Sequence, residues 1–191
     1  MPSELKQEVY YTFEEWQDME LDYRSELIDG QIYMMSDPTT RHQKVIGELH
    51  GQICAFLKGK TCEVFVSPFS VRLHENEDTG YEPDLVVVCD TSKIKKRGCT
   101  GAPDLVIEVL SPSTQKDDKV EKYQEYMKAG VKEYWIVNPD LNYVEANQLI
   151  DGRYIALTYF ENDTAPIQVL QGCGIDLSEV FKKSLYELND E

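Results

Sequence analysis

Apolar residues recur along this chain of 191 residues with two different periods, and the switches between them mark its elements. Val45, Ile46, Leu49, Ile53 and Leu57 repeat at helical spacing, which predicts a helix from about Thr40 to Lys58 with one apolar face. A shorter helix is expected from about Thr12 to Glu20, because TFEEWQDME opens with Thr-x-x-Glu, in which side chain and backbone cap each other reciprocally. The segment SELIDGQIYMM reads as two strands joined at Asp29-Gly30, a pair suited to the positive φ angles of a type I′ turn. CEVFVSP and FSVRLHE read as strands broken near Pro68.

Two Pro-Asp segments follow, YEPDLVVV (Tyr81 to Val88) and APDLVIEVLSPST (Ala102 to Thr114). Both are apolar on consecutive positions, the pattern of strands covered on both faces. Next, DDKVEKYQEYMKAG (Asp117 to Gly130) is helical, with a capping pair at Thr114 and Asp117, a stop at Gly130, and Val120, Tyr123 and Met127 as its core stripe. KEYWIVNP is a buried strand, and NYVEANQLIDGRYIALTYF is a second hairpin, about Asp151-Gly152, that extends the sheet. DLSEVFKKSLYE closes the chain as a capped helix or a pair of turns. Strands alternating with helices define an α/β (α+β) class, a mixed central sheet flanked by helices with additional β-hairpins. No Pro- or Ser-rich linker divides the chain, so residues 1–191 are expected to form one domain.

Polar residues inside the apolar strands carry the candidate chemistry. Glu108 interrupts LVI and VL, and a carboxylate in such a strand needs a cation or hydrogen-bond donors. Asp104 lies on the same face, but four residues at roughly 3.3 Å rise put it about 13 Å away, too far to share an ion with ligands at about 2.1 Å. Asp84 differs. Neighbouring strands run about 4.8 Å apart, so Asp84 and Glu108 converge if the register allows. A lysine from the helix after the second strand would then face a phosphate beside a metal held by the two acids. Spacing alone favours Lys119 nearly as well as Lys122.

These residues resemble the PD-(D/E)XK nuclease superfamily and, within it, the Uma-two family of restriction endonuclease-like proteins. The resemblance is carried by ELIDGQI, PTTRHQKV, EPDLVVV, PDLVIEVLSPST, the spacing Asp118-x-x-x-Lys122-x-x-x-Tyr126, and AGVKEYWIVNP, and it covers most of the chain. It implies a restriction-endonuclease-like fold and hydrolysis of DNA with Mg2+, Mn2+ being an alternative. Asp84 matches the first acid and metal ligand, Glu108 the second. The superfamily lysine two residues on is Leu110 here, and Lys122 stands where the Uma-two pattern carries a migrated lysine. Glu26 and His42 match further recurrent positions. By themselves they read as an exposed hairpin glutamate and a polar residue in a first helical turn.

The net charge of -16, from 19 basic and 35 acidic residues, works against a broad DNA-binding surface. SKIKKRG (Ser92 to Gly98), between the two acid-bearing strands, is the local exception. A nuclease-derived binding or dimerisation module without catalysis is therefore the second reading. A two-carboxylate glycosidase is disfavoured by the lack of an aromatic platform around Glu108. Cys54, Cys62, Cys89, Cys99 and Cys173 form no CxxC or Cys/His cluster and are expected to be reduced thiols, several filling the core. No apolar run approaches the roughly 20 residues of a membrane span, and the start lacks a secretory segment, so a soluble, cytoplasmic protein is expected. Cutting both strands of DNA would suit a homodimer.

Overall fold

The computed structural model describes residues 9–111 and 118–183, with 118–120 as backbone alone. Helix α1 (Phe13–Asp18) starts with the expected reciprocal box. The Thr12 hydroxyl accepts from the Glu15 amide, and the Glu15 carboxylate accepts from the Thr12 amide at 2.8 Å. Strands β1 (Ser25–Ile28) and β2 (Gln31–Met34) form the first hairpin, with Asp29 at φ 48° and Gly30 at φ 73°, both in the left-handed region that a type I′ turn demands. Helix α2 (Thr40–Leu57) is capped by Thr39 and buries Val45, Ile46, Leu49, Ile53 and Leu57, as its spacing predicts.

The following elements are β3 (Glu63–Val66), β4 (Ser70–Arg72), β5 (Leu85–Val88), β6 (Ile94–Lys95), β7 (Gly98–Thr100) and β8 (Leu105–Val109). Helix α3 (Asp118–Ala129) leads to β9 (Glu133–Asn138), β10 (Tyr143–Ile150), β11 (Arg153–Phe160), β12 (Thr164–Ile167), β13 (Cys173–Asp176) and α4 (Leu177–Val180). Six strands make the central sheet in the order β11-β10-β9-β8-β5-β3. Within this sheet, among the described residues, only β8 and β9 run parallel, and α3 is the crossover that a parallel pair requires. The fold is the expected mixed sheet flanked by helices with added hairpins.

Alternation along the strands sends side chains into two cores. Leu85, Val87, Leu105, Ile107 and Trp135 pack with α2, the β12–β13 hairpin and α4. Val86, Val88, Val106, Tyr134 and Ile136 pack on the other face with Tyr126 of α3. Both faces are covered, which is why these strands read as continuous apolar runs. A third cluster, Phe13, Trp16 and Leu27, fixes α1 to the first hairpin. Among the described residues no helix is long and apolar enough to cross a membrane.

The structure corrects three expectations. Cys62 and Cys89 are joined as a disulfide rather than held as thiols, while Cys99 and Cys173 are buried and Cys54 is exposed. The register of β3 on β5, Glu63 opposite Val88, brings the two cysteines just beyond it face to face. Among the described side chains of α3 the most buried are Lys122 and Tyr126, with Tyr123 and Met127 partly buried against the same core, and the Val120 side chain lies outside the described residues. A stripe drawn from apolar residues passed over the buried lysine. SKIKKRG, whose polar run reads as a solvated loop, instead forms the β6–β7 hairpin, and β7 pairs parallel with β4. The pair Thr114 and Asp117 lies outside the described residues.

Candidate active site

Strands β5 and β8 are antiparallel, with Leu85 opposite Ile107 and Val86 opposite Val106. Continued one residue, this register sets Asp84 opposite Glu108 at the end of the sheet. The Asp84 carboxylate is buried and accepts from the Val109 amide at 2.8 Å. Asp104 is occupied at the far end of β8, where it accepts from the Cys89 amide at 2.7 Å and pairs with Lys132 at 2.6 Å.

Lys122 comes to this point from α3. Its Nζ lies 2.8 Å from Glu26 Oε1 and 3.3 Å from Glu108 Oε1, with the ammonium buried between them. One turn on, the Tyr126 hydroxyl donates to the same Glu108 oxygen at 3.2 Å. Lysine and tyrosine at i and i+4 share a helix face, so one stripe supplies both donors. Glu26 is 5% exposed, unlike an ordinary hairpin glutamate. Its Oε1 also accepts from the Glu82 amide at 3.0 Å. The Lys119 side chain lies outside the described residues.

His42 arrives from the opposite layer. The Thr39 cap holds the first turn of α2, accepting from the His42 amide at 3.1 Å. The ring is buried, with Nε2 2.9 Å from the Val109 carbonyl and 3.3 Å from Asp84 Oδ2. Both neighbours are acceptors, which puts the proton on Nε2. Nδ1 has no hydrogen-bond partner among the described residues. Burial alone would lower the histidine pKa, but the hydrogen bond and charge of Asp84 outweigh it and hold it above 6.5.

Glu108 carries the largest perturbation among these acids. Burial pushes its carboxyl up to about 7, Lys122 opposes the rise, and the charges of Asp84 and Glu26 add to it. Tyr126 is raised well above 10, first by burial and then by Glu108, so it remains a phenol that donates. Two carboxylates, Glu26 and Glu108, thus converge on one lysine, and the charge of Asp84 bears on Glu108 as well, an excess of negative charge that suits a hard divalent cation. Among the described residues no three His, Cys, Asp or Glu side chains are gathered as a metal-binding group. An ion here would need the hard oxygens of Asp84 and Glu108, a carbonyl such as that of Val109, and water. Mg2+, which keeps several waters and takes one or two carboxylates, fits this donor set.

Tyr126 was visible in the sequence only as part of the lysine-tyrosine spacing. Arg24 and Glu82, whose side chains stand 3.7 Å apart beside Glu26, gave no local signal at all.

The class defined by this fold is restriction-endonuclease-like. The chain superposes on a solved structure from Anabaena variabilis, described as a putative nuclease belonging to DUF820, with a TM-score of 0.72 over 89% of this chain and 97% of that one. Identity is 19%, and the likeness is one of fold. The sequence matches the model of the Uma2 family, described as "Putative restriction endonuclease", over residues 10–178. The chain belongs to that family. It is similar to two uncharacterized proteins of Synechocystis sp., slr1290 at 29% identity over 78% of each chain, and sll1609 at 26% identity over 76% of this chain and 83% of the relative.

Proposed function

We propose that this protein is a metal-dependent endonuclease that hydrolyses phosphodiester bonds in DNA, with Asp84 and Glu108 holding Mg2+ and Lys122 serving as the migrated lysine. The observation that carries this reading is the convergence of Glu26, His42, Asp84, Glu108 and Lys122 on one buried end of the sheet. Mn2+ fits the same oxygen donors.

A bound divalent ion would supply Lewis acidity and lower the pKa of a water ligand. The chain's own residues do the rest. Lys122 places a fixed positive charge where negative charge builds on the phosphate oxygens. Glu26 and Tyr126 orient that ammonium and the Glu108 carboxylate, through contacts at 2.8 Å and 3.2 Å. His42 spans Asp84 and the Val109 carbonyl, and so fixes the carboxylate that holds the ion. A homodimer would present two sites to the two strands. The exposed Ile155, Leu157 and Phe160 on edge strand β11 support association through that edge.

Purified protein incubated with supercoiled plasmid should nick or linearise it with Mg2+ or Mn2+ and leave it intact with EDTA. Asp84→Asn should reduce the rate at least about a hundredfold while retaining the fold. Wild-type protein that leaves DNA uncut across metals and pH would favour the non-catalytic binding module.

A further inference from the structure

A groove of about 820 Å3 opens beside the acid–lysine cluster, within the usual size range of ligand sites. Glu82 joins the two. Its amide donates to Glu26, and the residue also lines the groove. Phe65 and Phe69, stacked with centroids 4.1 Å apart and planes 7° from parallel, form part of the wall, and exposed Tyr23 stands at the rim. The opposite rim is the β6–β7 hairpin, with Lys95, Lys96 and Arg97. In a chain of charge -16, three successive basic residues beside aromatic faces are an unusual pairing.

Arg24 Nε and Glu82 Oε2, two buried polar atoms of residues lining this groove, face each other as an ion pair, and neither has a hydrogen-bond partner among the described residues. They lie 3.7 Å apart, beyond hydrogen-bond length. The result is a donor and an acceptor side by side, each costly to leave unmade. Every nucleobase presents an acceptor and a donor along its pairing edge. In a duplex that edge is occupied by the partner base, and the ring face is covered by stacking. A base with edge and face both free is unpaired.

We infer that this groove binds an unpaired nucleotide of the nucleic-acid strand. The base stacks at Tyr23 and Phe65, its edge meets Arg24 and Glu82, and flanking phosphates lie along Lys95, Lys96 and Arg97. Lys95 now reaches the Ser92 carbonyl at 3.0 Å, and Arg97 pairs with Asp18 at 2.9 Å. Both pairings are exposed, so exchanging them for phosphate costs little. Asp22 and Asp37, exposed acids that also line the groove, keep the backbone on the hairpin side. This inference deepens the nuclease reading and names its substrate class, strands with single-stranded or locally unpaired nucleotides.

Fluorescence anisotropy in EDTA tests it without cleavage, using a labelled mixed-sequence single strand and the same strand in a duplex. The single strand should bind about tenfold tighter or more. Tyr23→Ala should weaken that binding about five- to a hundredfold, the range of one stacked base, Tyr23→Phe should restore that loss, and Glu82→Gln should weaken binding as well. Lys95→Glu with Lys96→Glu should weaken it and flatten its salt dependence. Circular dichroism confirms the fold of each variant. Equal affinity for single strand and duplex, or Tyr23→Ala and Glu82→Gln binding like wild type, overturns the inference even if the plasmid is cut. If the plasmid stays intact while the single-strand preference and its loss in the variants hold, the groove stands and the nuclease reading fails.

Discussion

Lys122→Ala is expected to lower metal-dependent cleavage about a hundred- to a thousandfold, and to destabilise the fold as well. The catalytic loss follows from removing a fixed cation from the position of developing phosphate charge. The structural loss has a separate cause. Glu26 and Glu108 both contact this one ammonium, at 2.8 Å and 3.3 Å. Removing one member of a buried charge set typically costs about 3–5 kcal/mol, because the partners remain buried without compensation. Lys122→Ala combined with Glu108→Gln should therefore recover part of the stability and none of the activity. Urea unfolding of the single and double variants measures the first effect, and plasmid cleavage the second. Wild-type stability in Lys122→Ala would mean that the lysine does not hold the two acids together.

The second large effect concerns pH. Glu108 titrates at about 7 in the folded chain against 4.5 for a free glutamate. As pH rises the unfolded state therefore ionises first. The folded state loses stability on this account between about pH 4.5 and 7, and the loss is complete above 7. Its ceiling is on the order of 3 kcal/mol, since each pKa unit corresponds to about 1.4 kcal/mol. In EDTA, Glu108→Gln should melt above wild type at pH 8, and this advantage should vanish near pH 4. Cleavage by wild type should run the other way, rising with pH as the carboxylate becomes free to hold a cation and levelling above about 7. Saturating Mg2+ should move that rise to lower pH. A cleavage rate flat from pH 5 to 8 would argue against Glu108 as the acid whose ionisation matters.

The fold was legible where local physics decided it. Asp29-Gly30 and Asp151-Gly152 turn their hairpins with positive φ, and the α2 stripe is buried as its spacing requires. Glu108 stood out because a carboxylate inside an apolar strand is costly. Other features depend on residues distant in sequence. The Cys62–Cys89 bridge follows from how β5 registers on β3, the cysteines being 27 positions apart in sequence. The burial of Glu26 depends on α3, 96 residues from it at Lys122. The α3 stripe was incomplete for the same reason: Tyr123 and Met127 do pack against the core, but Lys122 turns inward toward two carboxylates that the helix sequence does not contain.

The most direct test of the proposed site is the melting shift produced by metal. An ion that binds only the folded chain stabilises it by about 2.7 kcal/mol at a hundredfold excess over Kd. Asp84 and Glu108, set opposite each other by the register of β5 on β8, offer it two hard carboxylates. With saturating Mg2+ or Mn2+ at pH 8, the wild-type melting temperature should rise by several degrees over its value in EDTA. Glu108→Gln, which keeps the shape and removes the charge, should lose most of that shift. Equal metal-induced shifts in wild type and Glu108→Gln would mean that the ion binds elsewhere, and would contradict the assignment of Asp84 and Glu108 as its ligands.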